Sequence, residues 1–161
     1  ETGISIQGNT DTLEEKKGKL TVRLIDFSGV ELWSASKECV LEVEKNTTLM
    51  PIPFTAFPEF VKEKSVLLIE FSSHHKKTAV YHYFVKPKEL QLEKPTINVK
   101  IIGETLQEIS SNTLAKNVFL QAEGHFFDDN FFDVIPGIPR IIKTDRPTDT
   151  VKIRSLFDTM P

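Results

Sequence analysis

A two-residue alternation of apolar and polar side chains recurs along this chain and constrains its fold more than any other feature. Residues 20–24, Leu-Thr-Val-Arg-Leu, alternate in this way, and residues 39–44, 65–72 and 79–85 repeat the pattern. Successive side chains of a β-strand point to opposite faces, so these segments predict strands. No stretch of roughly eleven residues keeps the 3.6-residue period of a helix, and residues 59–64 are long enough only for one short turn. The pattern predicts an all-β fold.

Turn signals between these segments favour antiparallel strand order. Turn chemistry is supplied at Ser28-Gly29, residues 73–77 and Pro136-Gly137, among other places. Many short strands with turn signals roughly every 8–12 residues favour antiparallel sandwiches over βαβ units. Residues 79–85 carry large apolar groups on both faces, which predicts a central strand. Three prolines between Pro51 and Pro58 predict an irregular segment that is neither a central strand nor a helix.

A charged, weakly periodic segment at residues 87–95 is bracketed by two prolines and predicts a linker. The alternation restarts with Ile97, Val99 and Ile101. We therefore expect two tandem immunoglobulin-like antiparallel β-sandwich domains, at residues 1–93 and 94–161. Residues 1–3 also fit a linker or an expression remnant.

Charge and composition exclude several classes of partner. Lys and Arg total 20 against 23 Asp and Glu, so a net charge of −3 gives no reason to expect nucleic acid or an anionic membrane. No apolar run approaches the ~20 residues of a membrane span. Cys39 is the one cysteine, so an internal disulfide is excluded and the compartment stays open.

The sequence predicts no metal site and no cofactor. Residues 126–133 hold three Asp and one Asn, but they lack the alternate ligand spacing and central Gly of a calcium loop. A corner between strands is favoured instead, with its Phe residues inserted into the core and Asp and Asn capping backbone groups. The histidines show no zinc-ligand spacing; a solvated turn is expected for His74 and His75, and a half-buried strand position for His82. His125 is the fourth histidine.

No catalytic residue is predicted either. The chain has no Gly-x-Ser-x-Gly elbow and no Gly-rich phosphate loop. The acid pairs Glu14-Glu15 and Glu104/Glu108 are expected to be solvated surface charge rather than glycosidase carboxylates. Taken alone, the residues predict a β-module without chemistry of its own.

Aromatic residues leave a second interpretation open. Trp33, together with Tyr81 and Tyr83, would suit a platform for sugar rings, although the alternation around Trp33 favours core packing. A carbohydrate-binding or adhesion-type module without an enzymatic partner therefore remains the alternative.

Five segments in order resemble the C-terminal portion of β-mannosidases of glycoside hydrolase family 2, particularly those of Bacteroidetes-type bacteria. These segments are GKLTVRLIDF at 18–27, YFVKPKEL at 83–90, LAKNVFL at 114–120, DNFFD at 129–133 followed by Pro136-Gly137, and SLFDT at 155–159. They span nearly the whole chain. One departure is residues 137–140, Gly-Ile-Pro-Arg, where similar proteins tend to place an acidic residue after the Pro-Gly turn.

The resemblance implies a retaining exo-enzyme whose catalytic (β/α)8 barrel lies outside this chain. Such enzymes cleave terminal non-reducing β-D-mannose with an acid/base Glu and a nucleophile Glu, and neither maps onto these residues. We therefore expect an inactive C-terminal fragment that scaffolds the barrel, with the barrel and the other domains as partners. Carbohydrate and a homo-oligomer are left open as further partners, and the family implies a periplasmic or secreted location.

Overall fold

Period-2 patterning is realised as twelve β-strands in the computed structural model, which describes residues 2–10, 12–74, 76–148 and 150–160. All pairings between these strands are antiparallel, so the all-β prediction is confirmed. The chain divides into two units, residues 1–26 with 31–90 and residues 27–30 with 91–161. The boundary expected between residues 93 and 94 stays a prediction.

The first unit contains six strands in two sheets. The strands are β1 (Gly3–Gly8), β2 (Lys16–Asp26), β3 (Glu31–Leu41), β4 (Thr47–Pro53), β5 (Ser65–Ser73) and β6 (Lys76–Tyr83). One sheet has the order β3-β2-β5-β6, and the other pairs β1 with β4. The pattern marks residues 31–34 and 39–44 as separate extended segments, but both contribute to the single strand β3. The turn predicted at Ser28-Gly29 is present, with Gly29 at φ +93°.

Leucine and valine residues on one face of β2 and β5 form the core of this unit. Leu20, Val22, Leu24 and Leu67 are each exposed by 1% or less. Burying an aliphatic side chain of this size contributes about 1.5–3 kcal/mol, so these central strands supply much of the stability.

Strand β6 lies at the edge of its sheet, and the prediction of a central position is wrong. Val80 pairs with Ile69 on the core-facing side, yet its side chain is 55% exposed. His82 is exposed as well, rather than half-buried. The other sheet of this unit has two strands against four, which agrees with the exposure of Val80 and His82 on this edge strand.

The proline-rich segment forms an edge strand instead of irregular structure throughout. Pro51 and Pro53 lie in β4, opposite Ser5 and Gly3 of β1. Proline is tolerated there because an edge strand needs ladder hydrogen bonds on one side only. The segment then leaves the sheet through a 3-10 turn at Phe54–Ala56.

The second unit contains two three-stranded sheets. Its strands are β7 (Ile97–Ile101), β8 (Leu106–Ser111), β9 (Ala115–Gln121), β10 (Phe132–Val134), β11 (Arg140–Lys143) and β12 (Lys152–Arg154). The sheet orders are β11-β8-β7 and β10-β9-β12. Its buried core cluster is formed by Ile109, Ala115, Val118, Leu120, Phe132, Val134 and Ile142.

Helical structure in the described ranges is limited to four 3-10 turns. They are Phe54–Ala56, Lys62–Lys64, Pro87–Glu89 and Leu156–Thr159. The second of these confirms the single short turn predicted within residues 59–64. No helix in the part of the chain that the structure describes is long and apolar enough to cross a membrane.

Candidate functional site

The acid-rich corner at residues 126–133 uses its carboxylates to hold strands together. Asp133 accepts the backbone N–H of Asn117 at 2.8 Å and the Nζ of Lys116 at 3.2 Å. Asp128 accepts the backbone N–H of Lys143 at 2.8 Å. These carboxylates therefore face backbone and lysine donors, and the predicted capping role is confirmed.

Asp129 completes the corner through an ion pair. Its Oδ2 lies 2.6 Å from Nη2 of Arg140, and its Oδ1 accepts the N–H of Asn130 at 2.8 Å. The guanidinium of Arg140 also lies over the ring of Phe132, 5.5 Å from its centroid. Arg140, at the position where similar proteins tend to be acidic, thus has its own partners in this chain.

The side chain of Asn130 takes the place of one further residue of β10 in the pairing with β9. Its Oδ1 accepts the N–H of Leu120 at 2.6 Å, and its Nδ2 donates to the carbonyl of Leu120 at 3.1 Å. Strand β10 pairs Phe132 with Val118, so Asn130 stands where the next antiparallel pair would lie. The side chain therefore extends the ladder by one step with an amide group that resembles a peptide.

The phenylalanines of the corner divide into two sets. Phe127 and Phe132 pack against the core, as predicted. The prediction is wrong for Phe126 and Phe131, which are 78% and 66% exposed. Phe131 has a left-handed backbone, φ +61°, and its ring stacks on Phe119 with centroids 5.1 Å apart. One face of the Phe131 ring is thus presented to solvent.

The described histidines lie in different local environments. His74 lies exposed in the turn after β5, as predicted, and His75 lies outside the described residues. His125 is half-buried, and its Nδ1 lies 3.6 Å from Oδ1 of Asp145, too far for a hydrogen bond. Among residues 2–10, 12–74, 76–148 and 150–160, no group of three or more His, Cys, Asp or Glu side chains is arranged to hold a metal ion.

A shallow cleft in the second unit is the place where polar side chains gather around His125. It is lined by Gln121, Ala122, Glu123, His125, Thr148, Thr150 and Lys152.

The backbone N–H of Phe126 lowers the pKa of Asp145 from its ordinary value, and burial opposes this shift. Asp145 is thereby held as the carboxylate and acts as a cap for the segment before β10.

Trp33 belongs to an aromatic cluster that packs on the core of the first unit. Its ring meets Phe57 edge-on, with centroids 5.0 Å apart, and Phe57 in turn contacts Phe54, Phe60 and Phe84. Phe57 is buried. Core packing is therefore confirmed for Trp33.

Tyr81 and Tyr83 stand half-buried on β6, next to Leu68 and Val66 of β5. Trp33 lies on β3, at the other edge of the same sheet. The three aromatic residues therefore do not lie on neighbouring strands.

The two acid pairs and the cysteine occupy surface or structural positions. Glu14, Glu15 and Glu104 are exposed, and Glu108 is half-buried on the central strand β8. Cys39 is half-buried on β3, where burial raises the pKa of its thiol. A thiol shifted in this direction is a weaker nucleophile at neutral pH.

An ion-pair group on β5 was not anticipated. Glu70 is buried, with Oε2 2.8 Å from Nη2 of Arg23 and Oε1 2.5 Å from Nζ of Lys77. The sequence signal was the single carboxylate in the otherwise apolar run of residues 66–71 within β5. Since both oxygens face cations, this group links β2, β5 and β6 rather than forming an open site.

Comparison with known proteins agrees with this geometry. The family model for the Mannosidase Ig/CBM-like domain matches residues 2–89, and an Ig-fold domain model matches residues 92–159. Among solved structures, the β-D-mannosidase from Dictyoglomus thermophilum is similar with a TM-score of 0.79 at 20% identity. That similarity covers 96% of this chain and 20% of that chain, so this chain spans about a fifth of that enzyme. No curated protein matches.

Each unit thus combines short antiparallel strands in two sheets with a matching immunoglobulin-like family model, as the sequence predicted. The β-mannosidase resemblance is likewise confirmed at the level of the domains. The chain belongs to the Mannosidase Ig/CBM-like domain family.

Proposed function

We propose that this chain is the non-catalytic C-terminal part of a larger β-mannosidase, in which it supports a (β/α)8 barrel that hydrolyses terminal non-reducing β-D-mannose residues. The coverage of the Dictyoglomus thermophilum β-D-mannosidase carries this proposal, because the similar region is 96% of this chain and 20% of that enzyme. Four-fifths of such a chain is available for the catalytic part. The occupied carboxylates of residues 126–133 and Glu70 agree with a structural role.

Activity measurements separate this proposal from an independent enzyme. We expect the 161-residue chain to leave a chromogenic β-mannoside unhydrolysed. Turnover by the purified chain would overturn the proposal of inactivity. In the longer polypeptide that carries these domains, we expect their removal to lower the thermal stability of the barrel and the activity that depends on it. Equal stability and activity in the truncated and complete polypeptides would contradict the scaffolding role.

Carbohydrate binding is the second candidate, and the exposed Phe131 ring is the observation that favours it. Aromatic rings bury the apolar face of a sugar ring by stacking, and Phe131 already stacks on Phe119 and is 66% exposed. Calorimetric titration with mannose and manno-oligosaccharides tests this role. Saturable binding that Phe131→Ala abolishes and Phe126→Ala leaves intact would favour it, since Phe126 is 78% exposed and serves as the matched control. If no binding is detected, carbohydrate binding is excluded and the scaffolding role remains the proposed function.

A periplasmic or secreted location is also proposed, and it is supported by the family resemblance alone. Fractionation of the source cells, followed by detection of these domains with an antibody, checks it. Recovery of the protein in the cytoplasmic fraction would contradict this location.

A further inference from the structure

Strand β7 has a free edge. It is the terminal strand of the sheet β11-β8-β7, and it pairs with β8 from Ile97 opposite Ser111 to Ile101 opposite Gln107. Within the described ranges, no strand pairs with its other side. Natural proteins commonly protect such an edge, because its unpaired N–H and C=O groups can bind another strand.

Hydrogen bonds at both ends of β7 show which backbone groups face that edge. The N–H of Ile102 donates to Leu106 at 3.0 Å, and the N–H of Asn112 donates to Thr96 at 3.4 Å. Along an antiparallel ladder, residues that hydrogen-bond the neighbouring strand alternate with residues that do not. Thr96 and Ile102 bond β8 or the residue that follows it, so Asn98 and Lys100, which lie at even steps between them, bond β8 as well. The backbone groups of Ile97, Val99 and Ile101 consequently point away from β8.

The same residues carry exposed apolar side chains on the core-facing side of the sheet. Val99 is paired with Ile109, which is fully buried, yet Val99 itself is 37% exposed. Ile101 is 55% exposed, although the directly opposed Gln107 is buried. No inward-facing charge interrupts Ile97, Val99 and Ile101, and such a charge is a usual device against strand addition.

The sequence of β7, Ile-Asn-Val-Lys-Ile, is complementary to itself in antiparallel register. A two-fold axis through Val99 places Val99 opposite the partner copy's Val99, and Ile97 opposite the copy's Ile101. Each of these facing pairs would exchange two backbone hydrogen bonds through the groups that point outward. Asn98 would face the copy's Lys100, so this register avoids two lysines directly opposite each other, which would be destabilising.

We propose that β7 is a self-association surface that pairs with β7 of a second copy of this chain about a two-fold axis at Val99, giving a continuous six-stranded sheet. Such an isologous contact is the commonest arrangement in homo-oligomers. Because one five-residue strand forms the contact, the buried area falls below the ~1,200 Å2 of stable complexes, and the dimer is weak and concentration-dependent. The inference concerns the assembly of this chain and does not depend on the proposed β-mannosidase role.

Substitutions that place a charged residue at Val99, on the two-fold axis, test the proposal. We expect the average mass of the chain in sedimentation equilibrium to rise from monomer toward dimer over the micromolar to millimolar range. Val99→Lys and Val99→Glu should each remain monomeric, because like charges would face each other, whereas an equal mixture should dimerise again. The matched controls Val80→Lys and Val80→Glu, on the exposed edge strand β6, should behave as the unmodified chain.

Cross-linking gives an independent measurement that captures a weak dimer. Facing bonded residues have Cα atoms ~5.5 Å apart, within the range that a disulfide spans. We expect Cys39→Ser/Val99→Cys to form a covalent dimer under mild oxidation, and Cys39→Ser/Val80→Cys to form far less. An unmodified chain that stays monomeric at every concentration overturns the proposal. So does a Val99→Lys variant that still dimerises, or equal cross-linking of the two cysteine variants.

Discussion

Replacing Asn130 with Ala tests whether one side chain completes the ladder beside β9. The substitution removes the acceptor for the N–H of Leu120 and the donor to its carbonyl, at 2.6 and 3.1 Å. Leu120 is 1% exposed, so water reaches these backbone groups poorly. Each backbone group left without a partner costs about 1–3 kcal/mol, and two groups lose their partner here. We therefore expect a total loss of about 2–6 kcal/mol in the free energy of unfolding of the second unit.

Asn112→Ala is the matched control for this prediction. Asn112 also accepts a backbone N–H, that of Thr96 at 2.7 Å, but its side chain is exposed and water can replace it. We expect a loss of about 0.5–1 kcal/mol there. Urea unfolding followed by amide NMR signals of β8 and β9 is the appropriate measurement, because Trp33 lies in the first unit and its fluorescence reports on that unit. Equal losses for the two variants would refute the ladder-completion argument.

Three further predictions concern charge and the thiol. Glu70→Ala should lower the stability of the first unit by about 1–3 kcal/mol in chemical denaturation, because it leaves the partly buried Arg23 without its carboxylate. Glu42→Ala removes a carboxylate from an exposed ion pair and should change the stability by less than about 0.5 kcal/mol. Since the folded-state pKa of Asp145 is lowered, its contribution is present above its ordinary pKa and is lost as the pH falls through the lowered one. Asp145→Asn should therefore flatten the acid unfolding profile below about pH 4, and an unchanged profile would contradict this cause. Cys39 should react with iodoacetamide at pH 8 several-fold more slowly than free cysteine, and an equal rate would argue against the raised pKa.

Local patterning was sufficient for the central strands and for the capped corner. Alternation in residues 20–24 and 65–72 identified β2 and β5, because both strands pack against the core. The caps at residues 126–133 were also predictable, since Asp and Asn side chains bond backbone groups wherever strands turn.

Edges were predicted less well, because exposure depends on how far the opposing sheet extends. Val80 has the same apolar character as Val22, but 55% of it is exposed and Val22 is buried. Strand β4 was missed because its prolines exclude a central strand without excluding an edge strand. The left-handed backbone of Phe131, which exposes its ring, has no local sequence signal, since non-glycine residues rarely adopt it.

The prolines of β4 also limit the addition of a further strand at the outer edge of the sheet formed by β1 and β4. Phe54 donates its N–H to Thr2 at 3.1 Å, so by alternation Pro51 and Pro53 occupy the pairs that do not bond β1, and their nitrogens lie on the outer side. An incoming strand therefore meets carbonyl acceptors but no N–H donors at these two positions. A partly unfolded chain, or one still being synthesised, thus cannot extend a cross-β stack from β4 by regular pairing, whatever apolar surface it exposes elsewhere.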